Sequence, residues 1–200
     1  GRSRTGFVVG GGLQDAFDPI LGYTRDESGF TIFSNSDDEN VFKIATLGGS
    51  TSDPKLENIK SWSEILYEKL SKMGIKVKVY AGGLSGYTAA QECLKVIKDV
   101  LVISPNVVIS YSGVNDIIGA GDVYNHYFLR YYHPKLVNKM LKKGYIKNEI
   151  SGNAPIKRLD LGLYDPSDKA EFWIKCERIM HSVCEEFSID FHEIGRASCR

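Results

Sequence analysis

The sequence predicts an α/β fold with a parallel central sheet, on three observations. Short apolar runs rich in β-branched residues alternate with stretches of helical periodicity, as in βαβ units. Each of the first three runs ends in a turn rich in glycine or serine: Gly48-Gly49-Ser50-Thr51, residues 81–88 and Ser112-Gly113-Val114-Asn115-Asp116. The chain of 200 residues is long enough to bury a real core within one domain.

Residues 1–40 read as an irregular lead-in around Asp18-Pro19-Ile20-Leu21-Gly22-Tyr23, with an acidic group at Asp37, Asp38 and Glu39. Gly10-Gly11-Gly12 lacks the spacing and the strand-to-helix frame of a dinucleotide site. The domain proper is expected over 41–192. Its first strand is 41–47. Ser61 then caps a helix whose apolar positions Trp62, Ile65, Leu66, Leu70 and Met73 follow helical spacing, with Gly74 as the stop.

Residues 75–80 alternate Ile75, Val77 and Val79 with Lys76 and Lys78, which predicts a second strand near a sheet edge. Thr88 caps a helix running to about Leu101, with Ala90, Cys93, Leu94, Ile97 and Leu101 on one stripe. Pro105 punctuates, and 106–111 read as a central strand buried on both faces. A long helix over 166–187 turns Trp173, Cys176, Met180, Val183, Cys184 and Phe187 to the core, and 188–192 form a fourth strand.

Between the third strand and the last helix lies an excursion, 117–165. Tyr124, Tyr127, Phe128, Tyr131 and Tyr132 there follow helical spacing, and from Arg130 to Arg158 the only acid is Glu149. Two readings stand: a core stripe with a solvated basic face, or a lid over the site that meets an acidic or glycan-like substrate.

Composition narrows the function classes. Lys plus Arg and Asp plus Glu are 25 each, so no global field points to nucleic acid or an anionic membrane. The apolar runs are too short to span a bilayer. Cys93, Cys176, Cys184 and Cys199 show neither metal-ligand nor disulfide-framework spacing, and the first three fall on apolar helix faces where a thiol acts as a small hydrophobe. No metal or organic cofactor is implied. Residues 193–200 resemble a translated sequencing adapter, so native sequence is expected to stop near His192.

In a parallel sheet the loops at the carboxyl ends of the strands share one crevice. Ser50, the glycine backbone at Gly83 and the Asn115 amide are thereby expected to converge. A serine oxygen can attack a carbonyl there while the Ser50 N–H, the Gly83 N–H and the Asn115 side chain hold the developing oxyanion. Each residue also has a plainer reading. Ser50 could be a helix N-cap, Asn115 and Asp116 an Asx-type turn, and Gly83 and Gly86 positions of positive φ.

Taken in this order, Gly48-Gly49-Ser50-Thr51, Gly83 and Gly113-Val114-Asn115-Asp116 resemble the motif blocks of the SGNH hydrolases, the GDSL-type esterases and lipases. The resemblance runs from about residue 18 to 192. Gly49 stands in place of the GDS aspartate, as in a GGST subgroup, and Ala81 stands where the second block often has Asn. The resemblance implies a flavodoxin-like three-layer α/β/α sandwich. It also implies Ser50 as nucleophile of an acyl-enzyme, with Gly83 and Asn115 as oxyanion donors, acting on carboxylic esters of small molecules or glycans.

The family draws its Asp and His from a late D-x-x-H block, and no such block occurs here. Asp190 and His192 are two apart within a strand, and His126, His133 and His181 read as structural. The chain is therefore expected to be a C-terminally truncated fragment lacking its general base, and catalytically crippled. Other readings of the same residues are an O-acyltransferase, a non-catalytic glycan-binding domain, and a phosphate-binding module that has no P-loop lysine.

Overall fold

A computed structural model of the chain describes residues 15–18, 20–25, 28–55, 60–118 and 166–194. A hairpin of β1 (Asp15–Asp18) and β2 (Gly22–Arg25) stands apart from a five-stranded sheet. The sheet contains β3 (Thr31–Ser34), β4 (Phe42–Gly48), β5 (Val77–Ala81), β6 (Val107–Tyr111) and β7 (Asp190–Glu193), in the order β3-β5-β4-β6-β7. All pairings are parallel except β3 with β5. Numbered by themselves, the parallel strands run 2-1-3-4, the order of flavodoxin-like doubly wound sheets.

The two faces carry separate cores. Ile44, Val77, Val79 and Val107 meet Leu66, Tyr67 and Leu70 of α1 (Trp62–Lys72). On the other face, Ala45, Leu47, Tyr80 and Val108 pack with Val96, Val100, Met180 and Cys184. These last four come from the helix opened by α2 (Ala89–Lys95) and from α5 (Pro166–Glu186). Strand side chains alternate between faces, so both faces of a central strand must be apolar for helices to cover both. The result is a three-layer α/β/α sandwich.

Both expected helix starts are present. The Ser61 hydroxyl accepts the Glu64 N–H (3.2 Å), and the Thr88 N–H donates to Gln91 Oε1 (3.2 Å), closing each first turn. Gly74, at φ +77°, follows the end of α1.

Four expectations are corrected. The lead-in is not wholly irregular, since it contains β1, β2 and β3, and β3 pairs with β5 in register Thr31↔Ala81 to Ser34↔Lys78. The alternating lysines of β5 therefore do not mark an edge; β3 takes the edge. Ile97 is half-exposed, because a π-type turn (Val96–Val100) between α2 and α3 (Leu101–Ile103) adds a residue to the helix and rotates Val96 and Val100 inward instead. Met73 and Phe187, each just beyond the last residue of its helix, are exposed.

Cys176 and Cys184 are buried free thiols and Cys93 is half-buried, as expected of small hydrophobes. The aromatic stripe and basic run of the 117–165 excursion, His126, His133, the triple glycine and Cys199 lie outside the described residues. Strand β7 ends at Glu193, and the next residue, Ile194, donates its N–H to Ser110 O (2.7 Å).

Candidate active site

Strands β4 and β6 are neighbours in the sheet but lie two crossovers apart in the chain, so this is where strand order reverses. In doubly wound sheets a crevice opens there, beyond the carboxyl ends of the strands. The last residues of the two strands, Gly48 and Tyr111, are paired in register. Ser50 comes two residues after Gly48 and Asn115 four after Tyr111, and a narrow cleft is lined by Gly49, Ser50, Thr51, Tyr87, Tyr111, Ser112, Gly113, Val114 and Asn115.

Ser50 is half-buried and opens a single 3₁₀ turn, Ser50–Ser52. It does not cap that turn. The N-cap position belongs to Gly49, with no side-chain capping bond, and the turn closes through the Ser52 N–H to Gly49 O (3.0 Å) and the Asp53 N–H to Ser50 O (3.3 Å). Ser52 is the serine that packs inward: its Oγ accepts the Trp62 indole N–H (2.9 Å) and donates to Tyr111 O (3.5 Å). Trp62 in turn meets the Tyr111 ring edge to face, at 6.5 Å between centroids.

Asn115 lies in α4 (Val114–Ile118), the short helix after β6. Its Nδ2 donates to Tyr87 O (2.7 Å), which fixes the plane of the amide. A Cβ on Gly49 would fall on Asn115 Nδ2, so a side chain there would require the Asn115 amide to shift.

Gly83 is placed differently. It does not line the cleft but lies behind the Ser50 turn, where a Cβ would strike the Ser52 carbonyl and Cβ. Its neighbours are pinned to β4: the Gly82 N–H donates to Thr46 O (2.8 Å) and the Leu84 N–H to Gly48 O (3.0 Å). Ser50 and Asn115 therefore share a cleft wall, and Gly83 supports the first of them from the rear.

Asp116 and two residues with no predicted role, Asp53 and Tyr87, tie the loops together. Buried Asp53 accepts the Ser85 N–H (2.9 Å) and the Lys55 N–H (3.0 Å), lashing the second loop to the first. Tyr87 supplies the carbonyl that holds Asn115. The Asp116 carboxylate accepts the Ala89 N–H (3.1 and 3.2 Å) at the start of α2, where the helix dipole also favours a negative charge. An acid three residues after Ser50 and another directly after Asn115 were the available signals, but partners 27 and 32 residues away cannot be read from spacing.

Beneath the β6 loop lies a polar layer. Ser110 Oγ is within hydrogen-bonding distance of Glu92 Oε2 (3.0 Å) and Glu177 Oε1 (3.3 Å). Ser112 Oγ donates to Glu177 Oε1 (2.8 Å) and accepts the Trp173 indole N–H (3.0 Å). Burial holds both carboxyls above the usual range, Glu177 at about 7 and Glu92 well above its ordinary value.

No described histidine lines the cleft. His181 is exposed on α5, its ring meeting Phe191 edge to face at 6.0 Å, and His192 is exposed on β7 in register with Ile109. Asp190 is likewise exposed, opposite Val107 and further from the carboxyl end of the sheet. Among the described residues no cluster of His, Cys, Asp or Glu could hold a metal ion, and no helix is long and apolar enough to cross a membrane.

No protein-family model matches the chain, and no curated protein does. Among solved structures it is similar to the acetyl xylan esterase AlAXEase, at 18% identity over 76% of this chain and 77% of that one, with a TM-score of 0.39. It is also similar to Axe2, an acetylxylan esterase from Geobacillus stearothermophilus, at 18% identity over 75% and 74% of the two chains, with a TM-score of 0.39. At such identities and scores, the chemistry of the cleft has to be argued from its own residues.

Proposed function

We propose that the chain is a serine ester hydrolase of SGNH type, acting on carboxylic esters such as O-acyl groups of carbohydrates through an acyl-enzyme on Ser50. The observation that carries this is the shared cleft: Ser50 on a glycine turn, with the Asn115 amide held against that turn by Tyr87 O. In this reading the Ser50 oxygen attacks the ester carbonyl, and the oxyanion is met by the Ser50 N–H and the Asn115 side-chain amide, while Gly83 backs the turn that carries Ser50. Each such donor contributes about 3 kcal/mol to the transition state. The alcohol leaves, and water releases the acyl group. A sugar hydroxyl in place of that water would make the same site an O-acyltransferase.

A serine of ordinary pKa needs a base to take its proton. With no described histidine at the cleft, that base comes, in this reading, from outside the described residues. The same observation favours a second reading, a glycan-binding domain on this fold that performs no chemistry.

A fluorophosphonate probe separates the two. Covalent labelling of the protein that is lost in Ser50→Ala is the expected result. No labelling, or labelling that Ser50→Ala leaves unchanged, would overturn the esterase proposal. With a labelled protein in hand, product analysis of an aryl ester with and without a glycan acceptor distinguishes hydrolysis from transfer.

A further inference from the structure

The proposed chemistry makes no use of the carboxyls Glu92 on α2 and Glu177 on α5, although they are among the most deeply buried polar groups described, at 0% and 4% exposure. They meet under the end of β6, joined by Ser110 and Ser112, and Ser112 directly precedes the Gly113-Val114-Asn115 loop. Gly113 lies against the Trp173 ring, whose N–H donates to Ser112.

Counting protons shows what this arrangement requires. Ser112 gives its hydroxyl proton to Glu177 Oε1 and its oxygen accepts from Trp173. Ser110 has a single proton but stands between two carboxyl oxygens, at 3.0 and 3.3 Å. If both carboxyls were ionised, one of those contacts would be oxygen against oxygen with no hydrogen between them. A proton on Glu92 Oε2 closes the set: Glu92 donates to Ser110, Ser110 donates to Glu177, and Ser112 donates to Glu177. The outer oxygens, Glu92 Oε1 and Glu177 Oε2, have no partner among the described residues. The one buried lysine nearby in sequence, Lys95, is engaged elsewhere, by Gly29 O (2.7 Å) and Asp99 Oδ2 (3.0 Å). No described cation offsets a doubly ionised pair.

We propose that Glu92 and Glu177 hold a shared proton between α2 and α5, and that Glu177 acts through Ser112 as a positioning residue for the loop bearing Asn115. While the proton is present, the chain from Glu92 through Ser110, Glu177 and Ser112 to Trp173 is continuous and the loop is clamped. Glu92, the carboxyl held higher, keeps that proton when Glu177 ionises at about 7. Ionisation makes the Ser110 and Ser112 bonds to Glu177 Oε1 charge-assisted, and protonation of Glu177 at lower pH weakens the clamp. The functional consequence rests on the acyl-transfer reading of Ser50 and Asn115; the proton pair itself does not.

The titratable groups facing the pair are few. Asp116 on α4 and Glu193 at the end of β7 add negative charge, which opposes ionisation further. Burial pushes the neighbouring thiols Cys93 and Cys176 up to about 11 and about 12, so they remain neutral where Glu177 titrates, at about 7.

Trp173 reports on the clamp. In a Trp62→Phe background, which leaves Trp173 as the only indole, its emission is expected to titrate with a midpoint near neutral pH. Glu177→Gln should abolish the titration and Glu193→Gln should retain it. Ser112→Ala, which cuts the relay but spares the carboxyls, should abolish the tryptophan response while the infrared carbonyl stretch of a protonated carboxyl persists at neutral pH. Flat emission in the Trp62→Phe protein, an unchanged titration in Glu177→Gln, or absence of the infrared band would each overturn the proposal.

The rate of fluorophosphonate labelling at Ser50 should follow the same midpoint and lose that dependence in Glu177→Gln. A pH-independent rate in the presence of the Trp173 titration would overturn the positioning role. If Ser50 is not labelled at all, the esterase reading fails, while Trp173 and the infrared band still decide whether the proton pair exists.

Discussion

Helices α1 and α2 each begin on a hydroxyl-bearing residue and each follows a loop of the cleft, yet they bury different chemistry. The fully buried residue of α1 is Ser63, bonded to Thr46 (2.9 Å), while Glu68 and Lys69 turn towards solvent and Glu68 pairs with Lys60. Helix α2 buries Gln91, Glu92 and Lys95 almost completely. Each of these three reaches a different part of the fold. Gln91 Nε2 donates to Leu21 O (2.8 Å), Lys95 Nζ to Gly29 O (2.7 Å), and Glu92 meets Ser110.

The difference follows from what covers each helix. One side of α1 faces water, so its polar residues have somewhere to go. Helix α2 is enclosed by the sheet, α5 and the N-terminal segment, so its polar residues must find partners in the protein. A solvated helix therefore contributes an apolar face, whereas an enclosed one also anchors distant segments through its polar side chains.

The largest test of this contrast is Lys95→Ala. It leaves the Gly29 carbonyl without its donor, breaks the buried pair with Asp99 and removes the ammonium 4.3 Å from the Phe30 ring centre. A loss of about 3 kcal/mol is expected in denaturant unfolding. A loss no greater than that of a surface lysine would mean that α2 does not anchor the N-terminal segment.

Of similar size is the effect of pH through Glu177. Its folded-state pKa of about 7 lies above the ordinary 4.5, so between these values the folded chain holds a proton that the unfolded chain has released. Stability from this group is thus greatest at the acid end of that window and falls as the pH rises through 7, by roughly 3 kcal/mol in full. Thermal unfolding should show a melting temperature that declines across this range in the unsubstituted protein and a flatter profile in Glu177→Gln.

The smallest effect is expected on the solvated helix. Ser61→Ala removes the oxygen that accepts the Glu64 N–H and should cost about 1 kcal/mol. A much larger cost would show α1 to be under the same enclosure as α2.

Much of the fold was legible because its signals are local. The apolar run before Ser50 and the one before Ser112 mark β4 and β6, and Ser61 and Thr88 do begin helices. Strand β3 was missed because its Thr31-Ile32-Phe33-Ser34 is four residues long and its place at the sheet edge depends on pairing with a strand some fifty residues later. Ile97 was misplaced because a single π-type turn shifts the phase of a helix, and one extra residue leaves no mark in apolar spacing.

The candidate site divides in the same way. Glycine, serine and asparagine at the ends of β4 and β6 could be named from the sequence, since residue type and a strand-end position suffice to suggest a cleft. Their mutual placement could not. That Asn115 Nδ2 lies where a Cβ on Gly49 would fall, and that Gly83 stands behind Ser52 and not in the cleft wall, depend on how three loops pack after two crossovers.

The sequence by itself determined the alternation of strand and helix, the helix starts and the chemistry available at each loop, because these depend on neighbours within one or two turns of chain. Tertiary structure alone decided which strand lies at the edge, which polar residues are buried, and that two glutamates meet under one loop. Burial and charge proximity are properties of segments brought together across the whole chain, and Glu92 and Glu177 are 85 residues apart before folding places one serine between them.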